Sequence, residues 1–215
     1  ERMSTVALNA ATMPLMAAYL AEITPRVQAT LPNANVLLMQ SNGGSLTVEA
    51  AENSPVRLIT SGPAGGALAV QRLGKATQKP NLLGVDMGGT STDISLIHKG
   101  EIRMTTESAI SEYPVKLPMI EINTIGAGAG SIAWLDNWGG LHVGPRSAGS
   151  DPGPAAYCRG GTEPTVADAN IAIGRLHPDR FIGGKMTVNR EAARKAIEEK
   201  IGKPLNMSIE QAAAG

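Results

Sequence analysis

The sequence predicts a mixed α/β protein, a mixed sheet flanked by helices. Three observations carry that prediction. Stretches near both ends place apolar residues at helical spacing. Short apolar runs bounded by Gly, Pro and Asn recur through the middle, as strands require. Between them lies a segment, Gly62 to Leu73, dense in Gly and Ala.

Taken in order, Thr5 to Val27 carries Val6, Leu8, Met13, Leu15, Met16, Tyr19, Leu20 and Ile23 at helical spacing, which predicts a helix. Pro14 is expected to kink or interrupt it, or to open a second helix. Val36 to Met39 predicts a buried strand followed by a turn at Asn42-Gly43-Gly44. Ser45 to Glu52 predicts a short helix and Val56 to Ile59 another strand. The glycines of Gly62 to Leu73 cost helix stability. What they permit is close backbone approach, to a neighbouring element or to a ligand.

Asn81 to Asp86, Ile94 to His98 and Glu101 to Thr106 predict three strands joined by tight turns, an antiparallel meander. The chain is expected to stay extended from Val115 to Ile125. Strands at Ile132 to Leu135 and Leu141 to Val143 flank Asn137-Trp138-Gly139-Gly140. Gly144 to Gly161 is rich in Gly and Pro, and predicts a long irregular segment of the kind that often carries function. Helices are predicted at Pro164 to Leu176 and Asn189 to Ile201, with Ser208 capping a last one. Arg194 to Lys200 reads as a solvated helix face.

Composition narrows the function classes. The chain has 215 residues, enough for one or two domains, and only 3% aromatics, so the core must be aliphatic. Nineteen basic and nineteen acidic residues cancel, and no basic stripe suggests a nucleic-acid partner. No apolar run approaches a membrane span and no signal peptide is visible. The single cysteine, Cys158, excludes an internal disulfide framework and fits a cytoplasmic setting. Both ends read as cuts from a longer protein.

The stretch with chemical content is Leu83-Gly84-Val85-Asp86-Met87-Gly88-Gly89-Thr90-Ser91-Thr92-Asp93. A carboxylate closes an apolar strand, and two glycines and three hydroxyl residues follow. Glycines let backbone N–H groups turn toward an anion, and hydroxyls add donors to phosphate oxygens. A carboxylate there suits hydrated Mg²⁺ or the orientation of an attacking group. A plain hairpin with a Gly-Gly turn is the alternative. His98, His142 and His177 are not at zinc-ligand spacing and read as structural, while Trp134 and Trp138 are expected to pack locally. Cys158 reads as a buried or idle thiol, not a nucleophile.

This pattern resembles the second phosphate loop of the superfamily that holds actin, hexokinase and the heat-shock chaperone ATPases, with Gly62 to Val70 standing where its small-residue helix precedes that loop. Within it the chain is similar to the hydantoinase A/oxoprolinase family, which includes the acetone carboxylase β subunit. The matching motifs are Gln40-Ser41-Asn42-Gly43-Gly44, Ser61 to Gly66, Asp86 to Asp93, Thr124 to Ala133, Gly144-Pro145 through Asp151-Pro152-Gly153-Pro154 to Gly160-Gly161, and Pro164 to Asn170. Ala129, Asn123 and the position of Cys158 depart from the family pattern.

The resemblance implies an actin-like ATPase (ribonuclease H-like) fold, present as a partial domain. Residues 60–110 hold the small-residue helix and phosphate-loop meander, while the first phosphate loop and the adenosine segment are absent. It implies ATP and Mg²⁺ as cofactors, a cyclic amide such as a hydantoin or 5-oxoproline as substrate, a B-type hydantoinase subunit or domain as partner, and an oligomer. Asp86 would bind Mg²⁺ through water or serve as base. Gly88, Gly89, Thr90 and Ser91 would hold phosphate. Asp93 supports the loop or is structural. Gly126, Gly128, Gly130 and Ser131 form a candidate substrate or anion loop, or else a bulge or tight turn. Asp151 is a candidate substrate or metal ligand, or else caps its own turn. An acetone carboxylase-type subunit, another small-molecule kinase of the actin fold and a non-catalytic interaction module are the rival readings. By itself the chain is expected to bind ATP weakly and turn nothing over.

Overall fold

The computed structural model describes every residue except Ser111. It contains two compact units, Glu1–Asp86 with Ile94–Asn123, and Met87–Asp93 with Thr124–Gly215.

The first unit opens with α1, Arg2–Thr30, continuous through Pro14 and Pro25. The predicted interruption at Pro14 does not occur. The Thr12 hydroxyl donates to the carbonyls of Leu8 and Asn9 (2.8 and 3.1 Å), tying that turn together just before the ring. Leu20 packs against Ala51 and Leu58, with Met16, Ile23, Leu38 and Leu46 around them. Truncating a side chain buried like Leu20 costs about 2–5 kcal/mol. By length and composition alone α1 is also apolar enough to cross a membrane, contrary to the expectation above. Scanning for an unbroken apolar run misses a helix whose apolar residues are interrupted by uncharged polar ones such as Asn9 and Thr12.

Strands β1 (Leu37–Met39) and β2 (Ser45–Thr47) form an antiparallel hairpin. The predicted helix at Ser45 starts only at Val48, as α2 (Val48–Asn53), where the Thr47 hydroxyl accepts the Ala50 N–H (3.3 Å). The predicted strand at Val56 to Ile59 is instead a 3-10 turn, Pro55–Leu58. Pro55 fixes a helical φ at its first position, and a four-residue apolar run has no periodicity to say otherwise. The small-residue helix is α3, Ser61–Thr77. Ala64 and Ala67 bury against Ile120, with Leu68, Ile102 and Ile122 around them.

The central sheet runs β10-β4-β3, with β5 paired to β4, formed by β3 (Leu82–Met87), β4 (Thr92–His98), β5 (Glu101–Ile102) and, further along, β10. The predicted third meander strand splits: β6 (Met104–Thr105) leaves that sheet and pairs antiparallel with β9. Next come the hairpin of β7 (Ser108–Ile110) with β8 (Tyr113–Val115), then β9 (Met119–Ile120) and β10 (Ile122–Ile125).

In the second unit β11 (Ser131–Leu135) and β12 (Leu141–Ser147) form a hairpin, irregular between Ser131 and Ala133. The predicted irregular segment is therefore partly strand. Helix α4 (Val166–Ala172) begins at a capping box of Thr165 and Asp168. It packs its Ile171 against Ala156, against Val188 and, on the following helix α5 (Arg190–Ile197), against Ala193. The chain continues through a π turn and the single turn α6 (Lys203–Leu205) into α7 (Ile209–Ala214), capped by Ser208 with Gln211 as predicted. Ile197, Ile201, Ala172 and Ala212 form its second core. The charged face of α5 is mostly solvated, with Lys195 near Glu199, while Arg194 reaches Glu210 on α7 (2.9 Å).

Candidate functional site

Asp86 lies near the end of β3 in the first unit, exposed. Within that unit its Oδ2 stands where a β-carbon on Gly66 of α3 would come within 3.4 Å. The small residues of α3 thus leave room for a carboxylate as well as for the neighbouring strand.

The turn Gly88–Ser91 belongs to the second unit. It closes on itself through the Gly88 N–H and the Ser91 carbonyl (2.8 Å). A second glycine-rich turn braces it from one side. The Ala129 N–H donates to the Gly88 carbonyl (2.9 Å) and the Gly130 N–H to the Gly89 carbonyl (2.6 Å). In a trans peptide the N–H points opposite to the C=O of the same unit. Because both carbonyls face residues 129 and 130, the N–H groups of Gly89 and Thr90 point the other way. Gly89 is itself uncrowded, since an added β-carbon would meet nothing within 4 Å. Two successive outward N–H groups beside the Thr90 and Ser91 hydroxyls can receive an anion.

Gly128, Gly130 and Ser131 belong to the brace, whereas Gly126 makes no contact with the turn and lies beside Gly144 instead. A β-carbon on Gly128 would lie 2.7 Å from the Ser91 nitrogen and 2.8 Å from the Gly88 oxygen. One on Gly130 would lie 2.8 Å from the Gly89 oxygen. Ser131 is fully buried and its hydroxyl accepts the Gly128 N–H (2.8 Å), so it holds the brace from inside. Thr92 is buried and donates to the Ala127 carbonyl. The Thr124 hydroxyl donates to Asp93 Oδ1 (2.6 Å), which gives Asp93 a place in the same support.

Asp151 stands apart from this turn, on the wall of a cavity of about 590 Å³ within the second unit. Arg146, Glu163, Ser147 and Ala148 share the wall, and Arg146 Nη2 contacts Glu163 Oε1 at 3.1 Å. A residue the sequence reading singled out only within a motif fixes this region. Asp168 is buried, and its carboxylate accepts the N–H groups of Ala155, Ala156 and Thr165 and the Thr165 hydroxyl (2.8–3.1 Å). Burial pushes its carboxyl above the ordinary range, against those hydrogen bonds. The Thr-x-x-Asp spacing of a capping box was the available signal, but not the twelve-residue reach back to Ala156.

The remaining candidates settle locally. His142 Nε2 meets Asp136 Oδ2 at 2.7 Å, and its ring stacks on Trp134 at 4.8 Å. Trp134 packs as expected, but Trp138 at the hairpin tip is 94% exposed, because Asp136 Oδ1 holds the turn by accepting the N–H groups of Trp138 and Gly140, and the indole projects outward. His177 Nδ1 accepts the Asp179 N–H (3.3 Å). His98 ends β4, exposed. Cys158 is exposed rather than buried, in a left-handed backbone conformation after the short 3-10 helix that ends at Tyr157.

As to cofactors, no cluster of three His, Cys, Asp or Glu side chains is placed to hold a metal among the described residues. The donor set of the 88–91 turn fits a phosphate, since it offers N–H and hydroxyl groups and no carboxylate.

Comparison with known proteins places this architecture. The chain is 42% identical to the caprolactamase subunit alpha of Pseudomonas jessenii, over all of this chain and 31% of the relative. The crystal structure of ATP-dependent caprolactamase from the same organism superposes over the whole chain with a TM-score of 0.76 at 41% identity, and again the chain covers 31% of it. A nucleotide-free acetone carboxylase structure superposes over 84% of the chain and 25% of its own length, with a TM-score of 0.75 at 34% identity. The chain thus spans less than a third of the length of these relatives. Residues 2–215 match Hydantoinase/oxoprolinase, and the chain belongs to that family.

Proposed function

We propose that this chain is the phosphate-loop segment of an ATP-dependent enzyme that opens a cyclic amide, built on an actin-like ATPase fold. The observation that carries the reading is the outward pair of N–H groups at Gly89 and Thr90, braced by Ala129 and Gly130. Gly88, Gly89, Thr90 and Ser91 bind β- and γ-phosphate oxygens. Asp86, two residues earlier in sequence, holds hydrated Mg²⁺ or orients the attacking group. The similarity to an ATP-dependent caprolactamase supports both the nucleotide and the substrate class.

Bound ATP supplies the phosphoryl group. An amide carbon is a poor electrophile because the nitrogen lone pair is delocalised into the carbonyl. Attack of the amide oxygen on the γ-phosphorus forms a P–O bond as the bond to ADP breaks. Water then adds to the carbon, the C–N bond of the adduct breaks as the nitrogen takes up a proton and leaves as the amine, and a second water hydrolyses the resulting acyl phosphate to carboxylate and phosphate. The N–H pair stabilises charge on the phosphoryl oxygens without moving. Hydrolysis is shared with a B-type subunit or domain, in keeping with relatives that are themselves subunits.

The similarity to acetone carboxylase favours one second reading, in which the phosphorylated group is acetone enolate or bicarbonate. The test is ATP hydrolysis by the full-length protein with its partner, against hydantoins, lactams, 5-oxoproline and acetone, for wild type and Asp86→Asn. Stimulation by a cyclic amide, lost in Asp86→Asn, is the expected result. Stimulation by acetone alone selects the second reading. No stimulation, or an unaffected variant, contradicts both.

A further inference from the structure

The cavity on the wall of which Asp151 lies has a size and a charge that the 88–91 turn does not explain. Its volume of about 590 Å³ falls within the range of small-molecule sites. It is tied to the turn by backbone alone. Ala148, on the wall, donates its N–H to the Gly130 carbonyl (2.8 Å), and Gly130 donates to the Gly89 carbonyl (2.6 Å). Two hydrogen bonds thus link the cavity wall to the carbonyl behind the Thr90 N–H. The far side is equally fixed, because Asp168 anchors the chain at Ala155 and Ala156 just past Gly153.

The ionisable groups on the wall are one guanidinium, Arg146, and two carboxylates, Asp151 and Glu163. One positive charge against two negative ones disfavours an anionic ligand, so the cavity does not suit a phosphate or a carboxylate. Arg146 and Glu163 touch through Nη2 and Oε1. A guanidinium has further N–H donors and a carboxylate a second acceptor oxygen, so this contacting pair carries a donor and an acceptor on neighbouring groups. A ring amide is locked cis, so its C=O and N–H lie on one edge and match such a pair. An open-chain secondary amide is trans, with the two groups on opposite edges, and cannot meet both.

We infer that this cavity selects an uncharged cyclic amide, Arg146 donating to its carbonyl and Glu163 accepting its N–H, while Asp151 and Glu163 together exclude rings that carry a carboxylate. The inference rests on the cyclic-amide reading above and narrows it, placing neutral lactams ahead of 5-oxoproline. Arg146 and Glu163 are specificity-determining residues in this account.

The test is calorimetric titration of the full-length protein, with a non-hydrolysable ATP analogue present, using 2-piperidone, N-methylacetamide and 5-oxoproline. In the wild type, 2-piperidone binds at least about tenfold more tightly than either of the others, the discrimination expected of hydrogen bonds to charged groups. Arg146→Ala weakens 2-piperidone by about tenfold or more. Glu163→Gln brings 5-oxoproline to within about threefold of 2-piperidone, since it removes a negative charge and keeps an acceptor. Both variants keep the wild-type affinity for the analogue and its thermal midpoint. Equal affinity for 2-piperidone and 5-oxoproline in the wild type, absence of 2-piperidone binding, or an unchanged order in both variants overturns the inference. Failure of the wild type to bind the analogue at all is a separate result, and contradicts the phosphate-loop reading instead.

Discussion

Two turns in this chain look alike in sequence, Asn42-Gly43-Gly44 in the first unit and Gly88-Gly89-Thr90 in the second, and their backbones do opposite things. In the first, the donors are consumed. Asn42 Oδ1 accepts the Gly44 N–H (2.8 Å), and the Gly43 N–H donates to the Gln40 carbonyl (2.9 Å). In the second, the carbonyls of Gly88 and Gly89 are consumed by another loop, which turns the N–H groups of Gly89 and Thr90 away from that loop. A Gly-Gly pair is therefore not an anion site as such. What decides is whether the surrounding structure takes up its donors or its acceptors, and for the second turn the acceptors are taken up by residues some forty positions away.

Substitutions that separate the two turns break or sharpen this comparison. The largest effect is expected from Gly128→Ala, whose methyl would press on backbone atoms of Ser91, Thr90 and Gly88. Overpacking of this kind costs about 1–3 kcal/mol, and ATP affinity of the full-length protein should fall by about a hundredfold, as displacement of a positioned anion site implies. Retained affinity in a calorimetric titration would show that the brace does not set the turn. Gly43→Ala is the matching change in the other turn. With φ of +83° and Leu68 close by, it should destabilise by about 1 kcal/mol in a denaturant melt, yet leave ATP affinity at the wild-type value. A drop in nucleotide affinity would give the first turn a role that its hydrogen bonds deny it.

Smaller effects probe Gly89 and a third turn. Gly89→Ala meets nothing within 4 Å, so stability should stay within about 0.5 kcal/mol while ATP binding weakens several-fold. Destabilisation equal to that of Gly128→Ala would mean that Gly89 is crowded. The Asp136–Gly140 turn is of the donor-consumed kind, but the acceptor is a carboxylate. The hydrogen bond from His142, then those from Gly140 and Trp138, hold the Asp136 carboxyl below its ordinary range. A depressed folded value means that stabilisation is present above the unfolded carboxylate range and lost as pH falls through the folded value. Both tryptophans of the chain, Trp134 and Trp138, lie on this hairpin. In a protein with any other tryptophans replaced, fluorescence should change as pH falls below the ordinary carboxylate range, and Asp136→Asn should abolish that transition. A transition that persists in the variant would assign it to another group.

Much of the candidate turn was legible because its information is local. Strand, Gly-Gly turn and strand follow one another within residues 81–98, and the small-residue helix stands just before them. Ser208 likewise announced its cap three residues before Gln211. What escaped the sequence depends on distant partners or on competing local rules. Pro55 turned a predicted strand into a 3-10 turn, and α1 ran through two prolines. The order within residues 144–161 comes from Asp168, and the direction of the Gly89 and Thr90 N–H groups from residues 129 and 130. No periodicity encodes either contact.

The central claim is that the Gly89 and Thr90 N–H groups face a phosphate. The most direct measurement is amide NMR of the full-length protein labelled at glycine and threonine, titrated with ATP. The account predicts large downfield proton shifts at Gly89 and Thr90, as hydrogen bonds to an anion produce, with Gly43 and Gly44 unmoved. Shifts at Gly43 and Gly44 with none at Gly89 and Thr90 would contradict it.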